Sequence, residues 1–284
     1  DKKGLASGLI TGGMGGAAII AAPIANTLIE RYGVSQAFWR MGLAYALIGF
    51  FFSLFIRSAP KQVVPQTAEG SEKAPAKTIT ANKNWKEMLA TPAFYLLILM
   101  FAMGAFSGLM IASNASLIGQ SMFGLSATAA AAYVSLYSLS NTSGRVFWGA
   151  VSDRIGQIRA VIIIYSAIIF AFVLLVSVNQ VWAFAAGVVT LGLCFGGVMG
   201  VFPGLVMDNF GPANQGVNYG IVFIGFSSAA FIAPKVTASL AAANNGDFTK
   251  AFYVAIAVVL LGLGLSLVYA KRKADAKLAA EIVQ

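Results

Sequence analysis

Histidine is absent from the 284 residues, and cysteine occurs once, at Cys194. A disulfide framework and a His/Cys metal site are both excluded, so no metal and no cofactor is expected. Charge is scarce as well: 10% of the residues are Asp, Glu, Lys or Arg, against about 25% in soluble domains. Without histidine, paired carboxylates or a nucleotide loop, the chain has little with which to be an enzyme. What it has in excess is apolar: 58% of residues are hydrophobic and the mean hydropathy is +0.80. These residues gather into eight stretches near the ~20 that a helix needs to cross a ~30 Å hydrocarbon core. The expectation is an all-α, polytopic membrane protein with eight transmembrane helices.

The stretches run roughly over 4–29, 37–57, 92–118, 127–150, 160–178, 181–206, 215–243 and 249–270. Eight crossings put both chain ends on one side. Basic residues identify it: Lys2, Lys3, Arg57, Lys61, Lys73, Lys77, Lys83, Lys86, Arg154, Arg159, Lys271, Arg272, Lys273 and Lys277 fall on that side, against Arg31 and Lys250 opposite. By the positive-inside rule both termini are cytoplasmic, in a cell or inner membrane. The net charge of +9 is thus mostly topological, and no nucleic-acid partner is expected. Arg40, Arg145 and Lys235 remain, all inside helices.

Residues 58–91 carry Pro60, Pro65 and Pro75 among Ala, Thr, Lys, Glu and Gln, and read as a cytoplasmic linker. Its end, Asn84 to Leu89, either lies along the membrane surface or is plain linker. Repetition flanks this linker. Gly8, Gly13, Ala17, Ala18, Ile20 and Ala21 recur as Gly220, Gly225, Ala229, Ala230, Ile232 and Ala233, at a constant offset of 212. Residues 1–57 then read as the last two helices of a first bundle and 92–284 as a complete six-helix bundle with a cytoplasmic tail. Internal repeats of this kind build secondary transporters, and four further N-terminal helices of the same protein are expected as partners.

Gly149-Ala150-Val151-Ser152-Asp153-Arg154-Ile155-Gly156, with Arg159 beyond, resembles the GxxxDRxG loop signature of the major facilitator superfamily. Gly149 admits a neighbouring helix, Asp153 can pair with a cation or a helix N-terminus, and Arg154 can reach neighbours and headgroups. Within the superfamily the chain resembles the oxalate/formate antiporter group. The resemblance is carried by Asp1-Lys2-Lys3-Gly4-Leu5-Ala6-Ser7-Gly8, Glu87-Met88-Leu89-Ala90-Thr91-Pro92, Ser143-Gly144-Arg145-Val146-Phe147-Trp148-Gly149, Phe195-Gly196-Gly197 with Phe202-Pro203, and Asn218-Tyr219-Gly220. It implies that the eight helices correspond to helices 5 to 12 of a twelve-helix fold.

Arg145 precedes Asp153 by eight residues on one helix, which puts it about 12 Å deeper, near the midplane. A guanidinium there is costly and should face the bundle interior. No Asp or Glu lies in the membrane part of any of the eight stretches, so its counter-charge must come from elsewhere in the protein or from a ligand. The resemblance implies that it binds a substrate carboxylate, while snorkelling or capping a broken helix is the structural alternative. Asn141 and Ser138, four and seven residues before it, share its face and can line the same pocket or bond between helices.

The resemblance also places Phe195 and Met199 at the substrate, Met199 standing where oxalate-specific relatives have a tyrosine, with ordinary core packing as the alternative for both. Phe226 stands where oxalate carriers have a buried lysine. Lys235, nine residues on, points to the opposite face and is expected to snorkel to the outer interface, with gating as the alternative. One inward cation favours a monocarboxylate such as formate, lactate or pyruvate, carried by antiport or linked to protons. Oxalate/formate exchange is the near alternative; an anion channel or a transporter-like sensor is the alternative of another class.

Gly4, Gly8, Gly12 and Gly16 recur every fourth residue, a ridge suited to close helix packing. Gly13-Met14-Gly15 mimics a dinucleotide fingerprint but follows no strand. A small organic anion and the lipid bilayer are the remaining partners, and the protein is expected to be a monomer.

Overall fold

The computed structural model describes residues 3–55 and 82–282, with the side chains of 14–20 and a few others left aside. Every element among them is helical: α1 (Lys3–Ser53), α2 (Trp85–Leu89), α3 (Pro92–Phe123), α4 (Ala127–Ile155), α5 (Gln157–Ser177), α6 (Val181–Phe210), α7 (Gln215–Val222), α8 (Ile224–Ala242) and α9 (Thr249–Ile282). They form two compact units, one of residues 1–17 with 80–284 and one of residues 18–79.

At 1.5 Å per residue the 51 residues of α1 would be about two and a half times as long as a bilayer core is thick, so the run has to break. It breaks at Gly33, whose φ of 77° and ψ of 166° are open to glycine and strained for other residues. The expected loop between the first two stretches therefore contracts to little more than one residue. In the smaller unit the leg after Gly33 exposes Phe38, Trp39, Leu43, Leu47, Phe50 and Phe51. Arg40 of this leg lies 3.5 Å from the Tyr32 ring centroid, a stabilising position for a guanidinium in an apolar setting.

In the larger unit α2 is a single capped turn. Asn84 Oδ1 accepts from the backbone N–H groups of Lys86 and Glu87, and Glu87 Oε2 accepts from Asn84 N–H at 2.7 Å. Met88 is buried beneath it and Trp85 exposed. The chain just before α2 is tied to the α6–α7 connection: Lys83 N–H donates to the Phe210 carbonyl at 2.9 Å, and Asn214 and Asn218 donate side-chain N–H groups to the Lys83 carbonyl.

Among the described residues five spans are long and apolar enough to cross a membrane: α3, α5, α6, the α7–α8 run and the first 27 residues of α9. The run Gln215–Ala242 is interrupted at Phe223, which stays right-handed (φ −64°, ψ −15°). Although α4 is long enough at 29 residues, it carries Ser, Thr, Asn and Arg145 and is not among the apolar spans.

Glycine explains how so polar a helix is kept inside. Gly192, Gly196 and Gly200 of α6 face the α4 backbone at Tyr137, Asn141 and Arg145, so close that a Cβ at Gly200 would lie 2.6 Å from the Arg145 carbonyl oxygen. Gly144 returns the contact against the backbone of Leu193. On the other flank, Gly4 and Gly8 of α1 meet the backbone at Gly149 and Arg145, and Gly12 meets the Val146 side chain. Two ridges of hydrogens thus bring three backbones together, which is how helices associate where no hydrophobic force acts between them. Outside this polar spine, Phe101, Phe172, Phe184, Phe202, Phe210, Phe252 and Tyr165 fill the core, all fully buried.

Candidate functional site

Arg145 sits where the two glycine ridges converge, and it is 6% exposed. Its Nε donates to Asn141 Oδ1 at 3.0 Å, one turn back on α4, and its Nη1 donates to the Thr11 carbonyl of α1 at 2.6 Å. Both partners are neutral, so among the described residues the buried charge is hydrogen-bonded without being neutralised. Tyr137 and Tyr219 bring hydroxyl groups within electrostatic reach of the guanidinium. Asn141 is itself 7% exposed and acts as the orienting partner of the fork.

Ser138 is half-buried and turns back on its own helix, its hydroxyl donating to the Val134 carbonyl at 3.1 Å. Of the two polar residues expected beside Arg145, the structure joins Asn141 to it and leaves Ser138 bonded within α4. A residue that sequence reasoning missed is Thr11. Its signal was faint, since any carbonyl can accept, but the run Gly12-Gly13 with Gly15-Gly16 leaves this part of α1 with little side chain to block approach.

An aromatic stack stands on the same level of the bundle. Phe195 of α6 is nearly parallel to Tyr137 (centroids 6.5 Å apart, 22°) and to Phe226 of α8 (6.4 Å, 11°). Tyr137 Oη donates to the Gly108 carbonyl at 2.7 Å, and Gly108 is where the Phe195 ring passes closest to α3. Phe226 continues the stack to Phe223 (4.7 Å) and Phe101 (6.2 Å). Phe195 is buried and Phe226 half-buried, while Met199 is 3% exposed and packed in the core cluster. Tyr137, the second missed residue, is both a stack member and an electrostatic neighbour of Arg145.

The loop signature closes α4. Gly156 takes φ 90°, its N–H donates to the Ser152 carbonyl at 2.9 Å, and it leads directly into α5. Asp153 directs both carboxylate oxygens at the start of α1: Oδ1 accepts from Gly4 N–H at 2.7 Å and Oδ2 from Leu5 N–H at 2.9 Å. These are charge-assisted bonds to otherwise orphaned helix donors, reinforced by the positive end of the helix dipole. Of its two possible partners, Asp153 has the helix N-terminus. Gly149 meets Gly4 beneath this cap, and Arg154 and Arg159 are exposed. Gly16 lies in α1, and its surroundings fall outside the described residues.

Lys235 is exposed on α8. Its Nζ lies 3.7 Å from the Phe231 ring centroid, one turn back along α8, so the side chain follows the Cα–Cβ tilt toward the helix N-terminus.

A buried cation on a polar helix, sealed by glycine packing among apolar spans, is the arrangement of a multi-pass helical membrane protein. The comparisons narrow this. Residues 1–234 match the Major Facilitator Superfamily, and the chain belongs to it. It is 32% identical over 228 residues to the uncharacterized MFS-type transporter YhjX of Escherichia coli (strain K12), covering 80% of this chain and 54% of that protein. It is also 27% identical over 270 residues to the oxalate:formate antiporter of Oxalobacter formigenes, covering 94% of this chain and 62% of the relative. The chain thus spans between half and two thirds of the length of these relatives.

Proposed function

We propose that these residues are helices 5 to 12 of a twelve-helix carrier that moves small carboxylates across a cell membrane by alternating access. In this reading residues 1–57 end the first bundle, 58–91 link the bundles on the cytoplasmic side, 92–284 form the second bundle, and both ends of the stretch are cytoplasmic. The observation that carries the substrate class is Arg145, buried and, among the described residues, hydrogen-bonded to neutral oxygens alone. A carboxylate that displaces the Thr11 carbonyl from Nη1 supplies the missing negative charge and accepts from a planar fork already oriented by Asn141. The aromatic stack of Tyr137, Phe195 and Phe226 offers an apolar wall for a methyl or short alkyl group.

Packing supports the six-plus-six arrangement. Gly8 is pressed against α4 and Gly225 against the Ile98 carbonyl of α3, whereas their repeat equivalents, Gly220 and Gly13, have nothing within 4 Å among the described residues. If α3 and α4 have counterparts in a first bundle, those two open glycines are the positions where they pack.

The Asp153 cap supports a gating role. It ties α1, assigned to the first bundle, to α4 of the second at their cytoplasmic ends, and its release accompanies opening to that side. Within the substrate class, Phe226 in place of a second cation favours a monoanion such as formate, lactate or pyruvate, by exchange or with a proton. Oxalate/formate exchange is the second reading, favoured by the similarity to the oxalate:formate antiporter of Oxalobacter formigenes. Competition uptake with formate, lactate, pyruvate and oxalate tests both. Strongest competition by oxalate overturns the single-cation argument, and a non-saturating conductance replaces the carrier with a channel.

A further inference from the structure

In the larger unit α5 and α9 run antiparallel and touch at two levels. The Phe172 and Phe252 rings have centroids 5.7 Å apart, and a Cβ at Gly262 would lie 2.9 Å from the Tyr165 ring. Beyond the second contact, toward the start of α5 and the end of α9, both helices turn from apolar to basic. Arg159 is about 9 Å from Tyr165 along α5 and Lys271 about 14 Å from Gly262 along α9, so the two are level to within about one helical turn. The helix of α9 continues to Ile282, past its apolar span of Thr249–Asp275, which holds these cations on a rigid element where the span ends.

The same cations end two exposed stripes. On α5 the helical period aligns Arg159 with Ile163, Ser166 and Phe170, the Ser166 hydroxyl being satisfied by the Ile162 carbonyl at 2.9 Å. On α9 it aligns Lys271 with Leu267 and Gly264, and Arg272 with Val268 and Leu261, all of them exposed. In the helical sense the contact residues fall roughly a third of a turn before the stripe on each helix, and because the helices are antiparallel this turns both stripes to the same outer side. A Cβ at Gly264 would meet nothing within 4 Å, which leaves a notch in the α9 stripe. Among the described residues none of Arg159, Lys271 and Arg272 takes part in an ion pair. Asp275, one turn beyond Lys271, is exposed and sets one negative charge against these three and Lys273. Asp208 lies on the α6 side, next to Asn209, whose Oδ1 accepts from Tyr269 on the buried face of α9 at 2.7 Å.

We propose that an anionic phospholipid binds the outer side of α5 and α9, with its phosphate held by Arg159, Lys271 and Arg272 and an acyl chain along the Gly264 notch. An apolar stripe that ends in uncompensated cations is complementary to a molecule with hydrocarbon at one end and negative charge at the other. Guanidinium groups offer the phosphate two-point hydrogen bonding, and basic residues at a membrane surface attract anionic lipid by an effect that weakens with salt. A zwitterionic lipid brings its own cation and gains less. The lipid site is separate from Arg145 and does not depend on which anion is carried.

The test uses the complete carrier, delipidated in a mild non-ionic detergent and titrated with phosphatidylglycerol or phosphatidylcholine, with bound lipid counted by native mass spectrometry. Phosphatidylglycerol is expected to bind at least about tenfold more tightly than phosphatidylcholine, and to lose affinity as salt rises. Arg159→Gln, Lys271→Gln and Arg272→Gln are each expected to weaken its binding about fivefold, and together about a hundredfold. Lys250→Gln removes the same charge from the other end of α9 and is expected to leave binding within about twofold. The elution volume of each variant reports its fold, and the single variants keep the test decisive where the triple variant is unstable. Equal affinity for the two lipids, undiminished phosphatidylglycerol binding in folded variants, or an equal loss in Lys250→Gln overturns the site. Release of phosphatidylglycerol by inorganic phosphate at constant ionic strength assigns the cations to a free anion and overturns the lipid.

Discussion

Replacing Arg145 by lysine separates a substrate-binding fork from a structural cation. The guanidinium reaches sideways to Asn141 through Nε and across to Thr11 through Nη1, at 3.0 and 2.6 Å. A lysine ammonium is a single point on a flexible stem. It can keep one of these directions but cannot present the second donor in the same plane. Loss of one hydrogen bond to a charged group costs about 1.5–3 kcal/mol, and each 1.4 kcal/mol is tenfold in affinity. Arg145→Lys is therefore expected to raise KM for monocarboxylate uptake by ten- to a hundredfold, with membrane insertion intact because the charge and most of the stem volume remain. The assay is labelled formate or lactate uptake in vesicles, normalised to inserted protein. Wild-type KM in a well-inserted Arg145→Lys carrier would refute the reasoning and leave Arg145 as a fastener between α1 and α4.

Phe226→Lys adds a second inward cation beside Phe195 and is expected to shift preference from mono- toward dicarboxylates by at least about tenfold, the scale of relieving one unpaired buried charge; competition uptake measures it. Asp153→Asn removes the negative charge from the α1 N-terminus and is expected to cost about 1 kcal/mol of α1–α4 association, seen as a lower thermal midpoint in detergent. Gly196→Val pushes a side chain into the Asn141 backbone, which has no rotamer to yield, and is expected to abolish the monodisperse folded species on size-exclusion chromatography. Gly13→Leu and Gly220→Leu meet open space here but are expected to impair folding of the complete carrier; full tolerance of both would count against the first-bundle helices packing there.

Hydropathy and spacing alone determined the all-helical membrane character, because bilayer thickness sets the length of an apolar run without reference to any neighbour. The same is true of Arg145 as the residue to watch: its cost depends on depth along one helix, which counting from Asp153 supplies. Local chemistry was legible too, as in the Gly156 turn, whose hydrogen-bond partner Ser152 lies four residues back. What the tertiary structure decided is every pairing across helices. It chose the α1 N-terminus for Asp153, joined Asn141 but not Ser138 to Arg145, and recruited Thr11 and Tyr137 from unmarked positions. It also revealed that α4 is gripped by two glycine ridges, where the sequence had pointed only to the one on α1. The reason is physical. Helical period tells which residues share a face, but which face meets which partner, at what rotation and height, depends on how several ridges fit at once.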